Sequence, residues 1–164
     1  MSISFMPLPH GLTWTHFTVV QTSPDGNQAQ TGYDITASFS YTGSDDGGYK
    51  LSRFAVTVAL VSGDTWVVSG QKSAALLNHE RLHWVIATLV GRELDAELAN
   101  VTGSSSDEVQ QSAQDLIQAK NDRALAIGQA YDDDTDHGQD DAQQKLWLNK
   151  VHGWEHNSNQ VNWP

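Results

Sequence analysis

Apolar residues recur along this chain with two different periods, and the change between them falls near Gly70. Before it, Tyr33, Ile35, Ala37, Phe39 and Tyr41 alternate with mostly polar neighbours, and Phe54, Val56, Val58 and Leu60 repeat the alternation after Gly43-Ser44-Asp45-Asp46-Gly47-Gly48. A period of two puts one set of side chains on one face of a strand, so the two runs read as a β-hairpin closed by that turn-rich stretch. Thr13 to Gln21 reads as a further strand, set off by the loop Thr22-Ser23-Pro24-Asp25-Gly26-Asn27, and Trp66 to Val68 as a short fourth.

From Ser73 to Asn100 the period becomes helical. Leu76, Ile86, Ala87, Val90 and Leu94 fall three and four apart on a stripe that also carries His79 and His83. A second helix is expected from Ser105, where Ser105 and Glu108 have capping-box spacing, through Val109, Ala113, Leu116, Ile117, Ala124 and Ile127, with Gly128 weakening its end. A third, about Asp140 to Val151, turns Leu146 and Trp147 inward, and the residues from Gly153 to Pro164 read as a polar tail. No internal repeat or interdomain linker interrupts this order, so residues 1–164 read as a single domain.

Length and composition support that organisation. A chain of 164 residues can bury about two thirds of its unfolded surface, enough for a core, and six Trp add apolar area. It has no cysteine, which excludes thiolate zinc sites and disulfides. The net charge is −11, with three basic and five acidic residues before position 73 and six basic and fifteen acidic after it. Nucleic acid is not an expected partner, because phosphate binding needs a basic face. No apolar run reaches the length of a membrane span, and the opening Met-Ser-Ile-Ser-Phe-Met-Pro-Leu-Pro lacks the features of a signal peptide.

The chemistry concentrates in His79-Glu80-Arg81-Leu82-His83, an H-E-x-x-H pentapeptide on the first helix. Residues four apart share a helix face, so both imidazoles can hold one Zn²⁺ while Glu80, one position round, reaches water on it. Two imidazoles and a carboxylate on the core side of an apolar stripe are costly to bury without partners, and metal ligation would satisfy them. The ordinary alternative is an amphipathic helix with half-buried histidines.

A catalytic zinc site needs a third protein ligand. His137, in Tyr131-Asp132-Asp133-Asp134-Thr135-Asp136-His137-Gly138, can return to the metal if the two long helices pack as an antiparallel hairpin. Asp136 is the rival ligand, and Asp132 or Asp136 could orient a bound imidazole. Tyr131 is the candidate donor to a tetrahedral oxyanion, its plainer role being packing at the helix end. A calcium loop fits neither register of the acidic run: position six is His137 in one, and position twelve is Gln143 or Gln144 instead of Glu. His10 and His16 have no partner spacing, and His152 with His156 sits in a polar setting that suits an exposed pair.

Leu76-Leu-Asn-His-Glu-Arg-Leu-His-Trp84, Tyr131-Asp-Asp-Asp-Thr-Asp-His-Gly138 and the early Leu12-Thr-Trp-Thr-His-Phe17 resemble the signature segments of the bacterial predicted secreted zinc-dependent proteases, over about residues 12 to 152. Gln143 or Gln144 and Trp147 fit that family's downstream positions, whereas Arg81, Leu82 and Trp84 depart from its usual residues. The resemblance implies His79, His83 and His137 as zinc ligands, Glu80 as the catalytic carboxylate, and a secreted or periplasmic location. By analogy with zincin-like peptidases, the fold expected is α+β, a small antiparallel sheet of N-terminal strands packed with about three helices.

The function expected is a zinc metallopeptidase acting on a peptide or protein substrate, cell-wall peptide being a variant, with Glu80 as general base. Arg53 to Val61 could take an extended peptide at a sheet edge. The alternative is a zincin-shaped interaction domain that the metal stabilises without turnover.

Overall fold

The structure, a computed structural model, describes residues 11–45, 47–156 and 161–163. Its elements run β1 (Thr18–Val20), β2 (Ala29–Gln30), β3 (Tyr33–Gly43), β4 (Tyr49–Leu60), β5 (Trp66–Val68), α1 (Ala74–Leu98), β6 (Thr102–Gly103), α2 (Ser106–Thr135) and α3 (Asp141–His156). The α+β class holds, with three helices, but the strands form two small sheets. One is mixed, in the order β1-β5-β2, with β1 parallel and β2 antiparallel to β5; the other is antiparallel, in the order β3-β4-β6. No zincin-specific topology follows from this arrangement.

The hairpin forms as its alternation predicts, with Ile35 opposite Val58 and Ala37 opposite Val56, and a register shift between Ser40 and Tyr41 bends it near its tip. The first expected strand is shortened. Thr13 donates its backbone N–H to His16 Nδ1 at 3.1 Å, and Trp14–His16 close into a 3-10 turn before β1 begins. That local bond competes with the extended backbone, as Thr side chains and nearby imidazoles allow.

Both long helices start on serine caps. Ser73 Oγ accepts Leu76 N–H at 3.1 Å, and Ser105 Oγ accepts Glu108 N–H at 3.2 Å while Glu108 reaches back to Ser104 N–H at 2.7 Å. Ile35, Val56 and Val58 from the hairpin meet Ile86, Val90 and Leu94 of α1 in a core with Ala124 and Ile127 of α2, all buried. Each large aliphatic side chain withdrawn from water this way contributes about 1.5–3 kcal/mol.

Gly128 does not end α2. The helix runs on to Thr135, so Tyr131 to Asp134 are helical and the turn is confined to Asp136, His137 and Gly138, with φ of 48°, 51° and 82°. Three acidic residues in a last turn oppose the helix dipole. Here they are engaged: Asp132 meets two histidines, and Asp134 Oδ2 accepts Trp147 Nε1–H at 2.9 Å.

The expected polar tail is a packed segment in its first part. Helix α3 continues to His156, because Trp147, Val151 and Trp154 repeat at four and three and bury one face. Val161 is also buried, its N–H donating to Glu93 Oε1 at 2.7 Å, while Arg123 Nη2 donates to the carbonyls of Val161 and Trp163. His152 and His156 are exposed, as expected, and His10 and the opening residues lie outside the described residues. Among the described residues no helix is long and apolar enough to cross a membrane.

Candidate metal centre

The cap at Ser73 sets where α1 begins, and the second turn of that helix carries His79 and Glu80, with His83 one turn on. All three are buried, His79 and Glu80 at 2 % exposure and His83 at 8 %. Helix α2 packs alongside α1 and brings Asp132 to them from its last turns. Asp132 Oδ1 lies 3.0 Å from His79 Nε2 and 2.9 Å from His83 Nε2, and the two Nε2 atoms are 3.3 Å apart. His79, His83 and Asp132 could hold a metal ion, each offering one ligand atom.

Two observations bear on how well this cluster suits a cation. Tetrahedral ligand atoms about 2.0–2.1 Å from an ion stand about 3.3 Å apart, which is the separation of the two imidazole nitrogens. The tautomer of His79 gives the second. Its Nδ1 lies 2.9 Å from Gln144 Oε1, an amide oxygen that only accepts, so Nδ1 carries a proton and a neutral ring turns the lone pair of Nε2 towards the Asp132 carboxylate. In a neutral ring this sets two acceptors 3.0 Å apart, which calls for a metal between them or, in its absence, for a second ring proton that lets His79 donate to Asp132.

The protonation of the cluster follows the same logic. Burial works to raise the Asp132 carboxyl, but hydrogen bonds from His79 and His83, and their charge, hold it well below the usual carboxylate range. Burial works against charging His83; the hydrogen bond to Asp132 and the negative charges of Asp132 and Glu80 outweigh it and push its pKa up. Without metal, both shifts favour a charged pair of His83 and Asp132, whose Nε2 and Oδ1 stand 2.9 Å apart.

Glu80 sits beside this pair. Burial pushes its carboxyl pKa up, partly offset by His83, the Thr31 hydrogen bond and His79. Thr31, in the link from β2 to β3, donates its hydroxyl to Glu80 Oε2 at 2.6 Å and fixes the carboxylate's orientation. Glu80, His79, His83, Asp132 and His137 line one cleft of about 750 Å³, together with Thr31 and Tyr33.

The other expected site residues divide. His137 is half-buried at the cleft wall, its Nδ1 3.9 Å from Asp132 Oδ1. Gly138 brings that turn close: a methyl group there would stand 2.8 Å from His79 Cγ. Asp136 is exposed and does not line the cleft. Tyr131 is fully buried behind the histidines, stacked on His79 at 4.6 Å between ring centroids, its hydroxyl accepting from Gln144 Nε2 and donating to the His79 carbonyl at 3.4 Å. Its surroundings are those of a group that positions His79, and burial pushes its phenol pKa up. Arg53 to Val61 lies away from the cleft; the sheet edge beside it is β2.

Sequence reasoning gave an orienting part to Asp132 or Asp136, whereas the structure puts the Asp132 oxygen against the Nε2 atoms of both imidazoles. Five residues beyond Ile127, Asp132 falls off the apolar stripe, and within the Tyr131–Gly138 segment nothing in spacing alone sets it apart from the neighbouring aspartates. Thr31 and Tyr33 left no signal, since only tertiary packing brings that strand link to α1.

Residues 64–138 match a family described as a bacterial protein of unknown function, DUF922. The match spans both histidines, Glu80, Asp132 and the His137-Gly138 turn. No curated protein and no solved structure was found to match the chain. Across the segment that carries its buried His-His-Asp cluster, the chain is thus similar to a bacterial domain of unknown function.

Proposed function

We propose that this protein binds one zinc ion at His79, His83 and Asp132, with His137 as the fourth protein group within reach, and that the site hydrolyses an amide bond of a peptide. The convergence of two imidazole nitrogens and a carboxylate oxygen within about 3 Å carries the metal reading. His and Asp are ordinary zinc ligands, and Gln144 behind His79 is the kind of outer partner such ligands use.

Glu80 supports the hydrolytic half. When bound, zinc would polarise water and the scissile carbonyl. Glu80 would accept the attacking water's proton and pass it to the leaving nitrogen; its raised pKa brings it nearer neutral pH, where a general base works best. Thr31 would hold the carboxylate still during both transfers.

The cleft suits an extended peptide. Among the described residues strand β2 bonds to β5 on one side only, and Gln28 to Gln30 line the cleft, which offers that other edge for strand addition. Asp25, Asp34, Asp64 and Asp122 line the same cleft, and among the described residues no Lys or Arg does so, which favours neutral or cationic peptides.

A second reading has its own support: an ion joining α1 to α2 would brace the two longest helices, as in a metal-stabilised interaction domain without turnover. Glu80→Gln distinguishes them. The hydrolase retains zinc in this variant and loses at least about 100-fold in peptide cleavage; unchanged behaviour across a peptide library, with no wild-type cleavage, would leave the bracing role.

A further inference from the structure

Tyr33 opens β3, two residues after Thr31, and its ring packs partly against the core. Its hydroxyl reaches α2 at Gly128: a methyl group there would lie 3.4 Å from the Tyr33 hydroxyl and 3.3 Å from His83 Nδ1. The phenol and the Nδ1 edge of the His83 ring thus both adjoin the bare backbone of Gly128. Tyr33 lines the cleft that Glu80, His79 and Asp132 also line, and no hydrogen bond engages its hydroxyl among the described residues.

The other hydroxyl and amide donors close to the cluster are already used. Thr31 donates to Glu80, Asn121 bridges to the carbonyls of Ile35 and Ile117, and Gln144 is turned to Tyr131. Tyr131 itself is buried behind His79. The segment carrying Tyr33 is also firmly placed. Gly32 O accepts from Thr65 Oγ1 at 3.0 Å and Val61 N–H at 3.0 Å, and any side chain at Gly32 would run into Asp64 Cβ.

We propose that Tyr33 is a catalytic residue of this site, its O–H donating to the substrate carbonyl oxygen as negative charge develops there. This role rests on the hydrolytic reading above. A donor held in position before reaction needs no reorganisation as charge builds, and therefore favours the transition state over the ground state. Burial pushes the phenol pKa up, which favours the protonated, donating form. Bare Gly128 leaves room for both the phenol and the His83 ring.

Cobalt(II) in place of zinc gives a visible absorption band that reports the site without any substrate. Acetohydroxamate, which chelates through two oxygens and carries negative charge, is the probe of the oxyanion position. Tyr33→Phe keeps the packed ring, and circular dichroism checks that it folds. It should bind cobalt as tightly as the wild type and bind acetohydroxamate about tenfold more weakly, the loss of one hydrogen bond. Equal acetohydroxamate affinity in the two cobalt-loaded proteins would overturn the role. So would weaker cobalt binding with acetohydroxamate affinity unchanged, which would make Tyr33 a support for His83. Absence of any cobalt band in the wild type would instead remove the metal reading, and the role with it.

Discussion

Gly138 has a φ of 82°, and a methyl group added there would stand 2.8 Å from His79 Cγ and 3.0 Å from Nδ1. Both facts weigh against any other residue. The left-handed backbone alone costs alanine about 1–2 kcal/mol, and the contact would also displace the imidazole that Gln144 holds. Gly138→Ala should therefore keep its helices by circular dichroism yet lose metal binding, measured by titration with a colorimetric zinc indicator; undiminished zinc affinity would deny the turn its part in the site. The metal-free cluster has a pH dependence of its own. With its folded pKa raised above the ordinary 6.5, His83 contributes stability that is fully present below 6.5 and lost as pH rises through the folded value. Asp132, depressed from 3.8, contributes stability present above 3.8 and lost as pH falls through its lower folded value. Glu80, raised from 4.5, costs stability as pH rises above 4.5. The metal-free protein should thus be less stable at pH 8 than at pH 6 in urea unfolding, while its zinc affinity rises over the same interval because His83 must lose its proton to bind. Stability rising from pH 6 to pH 8 without metal would contradict the ion pair.

At the scale of elements, each of the three helices contributes something different to one point. Helix α1 supplies two imidazoles and Glu80, α2 supplies Asp132 from its last turns, and α3 supplies Gln144 and Trp147, which hold His79 and Asp134. The starts of α1 and α2 were legible in sequence, from the helical period that begins at Ser73 and the capping-box spacing at Ser105, and both serines cap their helices. The end of α2 was not, because Gly128 and an acidic last turn both argue for termination, and what overrides them is tertiary, the histidines on Asp132 and Trp147 on Asp134, beside the local bond of the Thr135 hydroxyl to the Tyr131 carbonyl at 2.7 Å. Since Gln144 of α3 bonds His79 Nδ1, the zinc reading predicts that Gln144→Ala lowers zinc affinity about 10–100-fold with little change in helix content. Zinc affinity equal to that of the wild type would separate α3 from the site.

For the whole molecule, periodicity sufficed for the α+β class, the β3–β4 hairpin and the order of the helices, since each depends on which face of an element is apolar. It could not yield the division into two sheets. Strands β2 and β6 have two residues each, too short to show alternation, and the parallel pairing of β1 with β5 joins residues 48 apart in sequence, Thr18 to Trp66. The candidate site was legible in the same partial way. His79, Glu80 and His83 lie on one turn and announce themselves by spacing, whereas Asp132, Thr31 and Tyr33 reach them only when α2 and the β2–β3 link pack on α1. What the assembled cluster predicts most directly is stoichiometry. Mass-spectrometric metal analysis of the purified protein, loaded with zinc and freed of excess, should find about one zinc per chain, and Asp132→Ala and His79→Ala should each lose it. A wild-type protein that holds no zinc after loading, or variants that retain it in full, would contradict a metal centre between these two helices.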